Sequence, residues 1–176
     1  GLIASSICLT LRQKDPTIKL VGYDKDKVVR NRANKIGLCK VESNLDNAVS
    51  GSQLIILCVP VGQMQAVTRR LKKIIEPGTT ITDVGSVKLS VIEEIESNIE
   101  SVGGKYVPSH PIAGTERSGP DAGYAGLFEG RWCILTPTRK TNKKALNNLE
   151  TFWKFLGMQT KICLLYTSDA ADEVVR

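Results

Sequence analysis

The chain is 176 residues long, enough for one domain with a substantial core, and is 41% hydrophobic with a mean hydropathy of −0.09. No apolar run reaches the ~20 residues of a membrane helix, so no membrane association is expected. The net charge of +6 (24 Lys and Arg against 18 Asp and Glu) is scattered along segments such as Arg69-Arg-Leu-Lys-Lys73, and only 5% of residues are aromatic; this argues against a nucleic-acid surface, which concentrates charge or interleaves it with stacking rings.

A mild positive field of this kind suits an anionic small molecule. The five cysteines (Cys8, Cys39, Cys58, Cys133 and Cys163) form no CxxC pair, and a single histidine cannot complete a zinc site. They read as reduced core residues of a cytoplasmic protein, with no metal.

In chain order, Gly1-Leu-Ile-Ala-Ser-Ser6 opens an apolar helix over Leu2–Leu11 with no strand before it. It fits the second half of a Gly-x-Gly-x-x-Gly/Ala turn, with Gly1 as second glycine and Ala4 in the small third place. There the backbone approaches a pyrophosphate at a helix N-terminus. The strand Ile18–Asp24 then ends in an acid. Asp24 reads either as the partner of an adenosine ribose 2′-hydroxyl or as the N-cap of the next helix.

A polar helix, Lys25–Ile36, is stopped by Gly37. The short strand Leu38–Val41 and a polar connection lead to Leu54–Val59, an apolar strand expected to be buried on both faces and closed by Pro60. Helix Gln63–Ile75, strand Thr79–Asp83, helix Leu89–Glu100, strand Lys105–Pro108, strand Trp132–Thr136 and helix Lys143–Leu156 follow. This alternation predicts an α/β fold: a Rossmann-like, doubly wound, mainly parallel sheet lacking its first strand, in one domain over 1–162. Trp132 and Trp153 read as core.

The lone histidine, His110, stands in Ser109-His-Pro-Ile-Ala-Gly-Thr-Glu-Arg-Ser-Gly119, just after a strand, while the strand Thr79–Asp83 empties into Val84-Gly-Ser-Val-Lys88. Carboxyl ends of parallel strands converge on a ligand crevice, and histidine is the side chain best suited to move a proton near neutral pH. If the two loops meet, a general base lies beside the Ser86 hydroxyl and the Lys88 ammonium. The plainer readings are a loop histidine with a satisfied hydrogen bond, a Ser86 that caps the following helix, a solvated Lys88 and a Glu116 that caps a turn.

Taken together, Gly1–Ser6, Leu57-Cys-Val-Pro60, Thr82-Asp-Val-Gly-Ser-Val-Lys88, His110–Gly119 through Leu127-Phe-Glu-Gly130, and Ile134-Leu-Thr-Pro137 resemble the prephenate/arogenate dehydrogenases of tyrosine biosynthesis. The first two segments are generic to nicotinamide dehydrogenases; the third and fourth together are specific. The resemblance implies oxidative decarboxylation of prephenate to 4-hydroxyphenylpyruvate, or of arogenate to tyrosine, with NAD as cofactor and NADP possible. It implies His110 as the base on the ring hydroxyl and Ser86 as the group that orients it beside the nicotinamide. Gly1, Leu2, Ile3, Asp24, Val59, Pro60 and Ser86 would bind the cofactor, and His110, Thr115, Glu116 and Lys88 the substrate.

Asp24 would repel a 2′-phosphate, which favours NAD, although Lys25 and Lys27 stand close by. The first glycine of the fingerprint and the family's helical C-terminal domain are both outside this chain. That domain would supply a homodimer interface and an arginine for a substrate carboxylate, so the chain alone is expected to be inactive. The rival functions are another Rossmann-type small-molecule dehydrogenase and a non-catalytic nucleotide-sensing domain, neither of which explains the His110 loop. Residues 163–176, beginning Cys163-Leu-Leu-Tyr-Thr-Ser-Asp-Ala-Ala-Asp-Glu173, resemble a translated sequencing adapter and are expected to be non-native. The nucleotide sequence beneath them is expected to match the adapter, and a coding stretch unlike it would overturn this assignment.

Overall fold

The structure, a computed structural model, describes residues 1–86 and 89–163. Helix α1 (Leu2–Lys14) buries Ile7 and Leu11 and stops at Asp15, whose backbone is extended. Strand β1 (Val21–Gly22), helix α2 (Lys27–Lys35) and strand β2 (Lys40–Val41) form a parallel β-α-β unit. Asp26 caps α2 by accepting from Val28 N at 2.7 Å. Helix α3 (Leu45–Val49) follows, capped by Asn44.

A second parallel sheet has the order β3-β4-β5: β3 (Leu54–Leu57), β4 (Thr80–Asp83) and β5 (Lys105–Tyr106), joined through α4 (Val61–Leu71) and α5 (Leu89–Glu100). Strand β6 (Ser109–Pro111) pairs antiparallel with β7 (Trp132–Leu135), which pairs in parallel with β8 (Gln159–Ile162) across α6 (Lys143–Phe155). The β5–β6 stretch ties the two sheets together. Val107 N still donates to Ile81 O of β4 at 2.9 Å, whereas Pro108 O already accepts from Thr136 N, just past β7, at 3.2 Å. Pro108 has no N–H to continue the ladder, so the ribbon changes partners there.

The core lies on both faces of this assembly. On one, Ile7 and Leu11 of α1 meet Leu149 and Trp153 of α6 over Val107 and Leu135. On the other, Met64 and Leu71 of α4 meet Ile92, Ile95 and Ile99 of α5 over Ile81. Trp153 stands edge-on to Phe128 (5.9 Å between ring centres) and Phe152 (5.4 Å), contacts that add about 0.5–1.5 kcal/mol each beyond the area they bury. Helices on two faces of a mainly parallel sheet are the doubly wound arrangement read from the sequence.

Four expectations change. Leu54, Ile55 and Ile56 are only half-buried rather than enclosed on both faces. Trp132 is 44% exposed and so is not core, because it sits on the outward-facing set of alternate residues in β7. His110 lies within strand β6 rather than in a loop. Helix α3 and strand β8 were not foreseen. Residues 87–88, Lys88 among them, and 164–176 fall outside the described residues. Among the described residues no helix is long and apolar enough to cross a membrane.

The half-burial of β3 has a cause in the sheet. Strand β1 pairs only with β2, and β3 only with β4, so each keeps an edge with no partner among the described residues. Unpaired backbone edges flanking half-buried Ile and Leu side chains favour loose packing and association. Expressed alone, this polypeptide is expected to unfold over a broad thermal range and to bind a hydrophobic dye. A sharp cooperative transition would contradict that.

Candidate active site and cofactor cleft

The site is assembled at the carboxyl ends of β1, β3, β4 and the β5–β6 ribbon. Gly1 is the N-cap of α1; its carbonyl accepts from Ser5 N at 3.0 Å, and no side chain caps the helix. The first-turn amides, Leu2 and Ile3 among them, therefore have no helical acceptor. No acid stands in that turn, and a Cβ placed on Gly1 would meet nothing within 4 Å. Uncapped amides, a helix dipole and open space fit a bound pyrophosphate.

Asp24, half-buried after β1, is not the cap of α2, since Asp26 holds that place. One Asp24 oxygen accepts from Asp26 N at 2.9 Å; the other has no hydrogen-bond partner among the described residues. Arg30 fixes the turn by donating to the carbonyls of Asp24 (2.7 Å) and Lys25 (3.0 Å). Lys25 Nζ reaches Gln63 Oε1 at 3.1 Å in the first turn of α4. That links the Asp24 turn to Val59 and Pro60, the latter being the N-cap of α4. A carboxylate with one oxygen available on a braced turn suits a ribose diol.

At the end of β4, Asp83 is 1% exposed. Its Oδ1 accepts from the Tyr106 hydroxyl at 2.8 Å and from Ser109 N at 3.4 Å, while Oδ2 accepts from Gly85 N at 3.0 Å. Ser109 Oγ donates to the Asp83 carbonyl at 2.6 Å and lies 2.8 Å from Thr82 Oγ1. Burial pushes the Asp83 carboxyl up to about 6, against the lowering effect of the Tyr106, Gly85 and Ser109 donors. Burial and the neighbouring carboxylate keep the Tyr106 hydroxyl protonated. Gly85 and Ser109, the residues before Ser86 and His110, are thus both bound by this side chain.

Ser86 is exposed, directly after Gly85, and α5 begins soon afterwards at Leu89. His110 is half-buried between the buried Ser109 and Pro111 and stands opposite Ile134 in the β6–β7 register. No hydrogen bond joins Ser86 to His110 among the described residues. Thr115 and Glu116 do come together: with Arg117, Ala122 and Tyr124 they line a cavity of 340 Å³, which His110 and Ser86 do not line.

The loop that forms this cavity is strapped to the cofactor half. A Cβ on Gly123 would lie 2.4 Å from Ser5 Cβ, so α1 and the loop touch backbone to backbone. Tyr124 N donates to Ser6 Oγ at 3.1 Å, and Thr10 Oγ1 to Ala125 O at 2.6 Å. Arg32 Nε of α2 bridges both Asp121 oxygens at 2.8 and 2.9 Å. The residues the sequence did not single out are Arg117 and Tyr124 in the cavity, and Asp83, Tyr106 and Ser109 beneath the loops. The available signal was Asp83 itself, an acid ending a strand of the sheet, where burial calls for donors.

Comparison with known proteins follows this geometry. Residues 7–162 match the family "Prephenate dehydrogenase, nucleotide-binding domain". The chain is 38% identical over 158 residues to the cyclohexadienyl dehydrogenase of Zymomonas mobilis, covering 89% of this chain and 53% of that protein. It is 33% identical over 158 residues to the prephenate dehydrogenase of Bacillus subtilis, covering 88% and 42%. The chain thus spans about half the length of the curated relatives it matches.

Among solved structures, the prephenate dehydrogenase of A. aeolicus in complex with hydroxyphenyl propionate and NAD+ superposes with a TM-score of 0.87 at 28% identity, over 99% of this chain and 60% of that one. The arogenate dehydrogenase of Synechocystis gives 0.85 at 26% identity, over 97% and 59%. By sequence and by fold, the chain belongs to the prephenate dehydrogenase family, of which it carries the nucleotide-binding domain.

Proposed function

We propose that this chain supplies the cofactor site and the catalytic base of an NAD(P)-dependent oxidative decarboxylation that converts prephenate to 4-hydroxyphenylpyruvate or arogenate to tyrosine. The observation that supports this reading is that the amides of Gly85 and Ser109, the residues before Ser86 and the lone His110, are held by one carboxylate. The uncapped α1 N-terminus and the available Asp24 oxygen supply groups suited to a dinucleotide. The A. aeolicus relative, which holds NAD+ and a phenolic carboxylate, supports it.

A bound nicotinamide supplies the hydride acceptor. The protein's part is to hold donor and acceptor carbons in line and to draw off a proton. His110 accepts the proton of the substrate ring hydroxyl, so that hydride departs from a carbon already gaining carbonyl character, and loss of CO₂ makes the ring aromatic. Ser86 sits beside this pair and orients the imidazole. Leu2 and Ile3 amides take the pyrophosphate, Val59 and Pro60 border the cofactor after β3, and Thr115 and Glu116 face the substrate. Lys88, two residues after Ser86 in the sequence, lies outside the described residues. The active protein is a cytoplasmic homodimer whose helical domain completes the carboxylate site.

The test is an assay of the complete protein with prephenate and with arogenate. His110→Asn is expected to lower kcat by about 10²–10⁴-fold while NAD+ binding stays within about threefold; intact decarboxylating activity in this variant would refute the assignment. Asp24 governs cofactor choice, NAD+ over NADP+, because its charge opposes a 2′-phosphate. Asp24→Ala is expected to raise KM for NAD+ by about tenfold, the loss of one charge-assisted hydrogen bond, and to lower KM for NADP+. An unchanged ratio of the two KM values would remove Asp24 from the ribose site.

A further inference from the structure

We propose that Asp83 is the positioning residue of the catalytic pair, its buried carboxylate setting where Ser86 and His110 stand relative to each other. The inference rests on the function proposed above. Its basis is geometric: Oδ2 holds the amide of Gly85, the residue before Ser86, and Oδ1 holds the amide of Ser109, the residue before His110. One rigid carboxylate thus spans the turn after β4 and the start of β6. A second bond, Ser109 Oγ to the Asp83 carbonyl at 2.6 Å, fixes the same two backbones again.

Asp83 itself has little freedom. The Tyr106 hydroxyl anchors Oδ1 at 2.8 Å, and β4 holds the Asp83 backbone opposite Leu57 of β3. Tyr106 packs in the apolar cluster with Ile81, Ile95 and Ile99, so the anchor is tied to the core under the sheet. Ser86 and His110 have no hydrogen bond between them among the described residues. Their mutual placement is therefore inherited from the neighbours that Asp83 binds.

The chemistry asks for this. All three contacts to the carboxylate are donors, so the ionised form accepts all of them, and no neutral side chain of the same shape can. An amide at this place would turn an N–H towards either Gly85 N or Ser109 N and release one loop. Misplacement of about 1 Å at a reacting pair costs on the order of 10²-fold in rate.

The experiment compares Asp83→Asn and Tyr106→Phe with the wild type in the complete protein. It reads kcat, KM for NAD+, the melting temperature at pH 8, and the isotope effect for substrate deuterated at its hydride-donating carbon. Asp83→Asn is expected to lose about 30-fold in kcat, and Tyr106→Phe about fivefold, since the latter loosens the carboxylate but leaves both amides bound. In both, the isotope effect on kcat rises, and KM for NAD+ stays within about threefold. Because burial holds the Asp83 charge at a disadvantage, the Asn variant is expected to melt within a few degrees of wild type at pH 8.

A merely structural role would instead lower the melting temperature and leave kcat per folded site and the isotope effect unchanged. That pattern overturns the proposal, as does kcat within twofold of wild type. Should Asp83→Asn fail to fold, Tyr106→Phe decides by the same kcat and isotope readings. A wild-type protein inactive on both prephenate and arogenate overturns the proposed function itself, an outcome separate from an active wild type with unaffected variants.

Discussion

A carboxylate that is 1% exposed at the end of a strand must be surrounded by donors or it will not stay charged. Asp83 meets that demand with one phenol and two backbone amides, and much of the site's architecture follows from how it does so. One amide, Gly85, lies just after β4 and the other, Ser109, opens β6, so satisfying the charge ties together two separate segments of the chain. The same burial pushes its carboxyl up to about 6. The fold accepts that cost at the point where the residues before Ser86 and His110 are held together.

The cofactor half is governed by a different constraint, the first turn of α1. A helix that starts on glycine with no side-chain cap leaves its amides to a ligand, and the body of that helix must be held firmly for the turn to be useful. Here the hold comes from both faces: Ile7 and Leu11 enter the core, while the loop after the 3₁₀ turn Pro120–Ala122 lies along Ser5 and Ser6.

Much of this was legible in the sequence, for reasons that vary by element. Helix α5 was readable to the residue, because Leu89–Glu100 combines helical apolar periodicity with a glycine stop at Gly103 and Gly104. Strand β8 was not, because Gln159–Ile162 is a mostly polar edge whose pairing with β7 is set by the packing of α6. His110 read as loop since prolines flank it. At the bend between two sheets, though, a strand can carry proline without losing an essential donor. The candidate residues stood out by type and place, but Asp83 gained its meaning only when Tyr106, Gly85 and Ser109 were seen around it. Hydrogen bonds between residues 23–26 positions apart leave no periodic trace.

The two halves of the crevice are mechanically one. Asp121, beyond the His110 loop, is bound by Arg32 of α2, while Gly123 allows backbone contact with α1 that any larger residue would block. Both helices belong to the cofactor side, yet the segment they grip also carries Tyr124 and leads back through Arg117 and Glu116 to His110. An exposed ion pair such as Arg32–Asp121 contributes little to stability by itself, so its place in the fold is better explained by what it orients. With Asp83 fixing one end of the His110 segment and α1 and α2 the other, the loop between them has its ends set by the sheet and the cofactor helices.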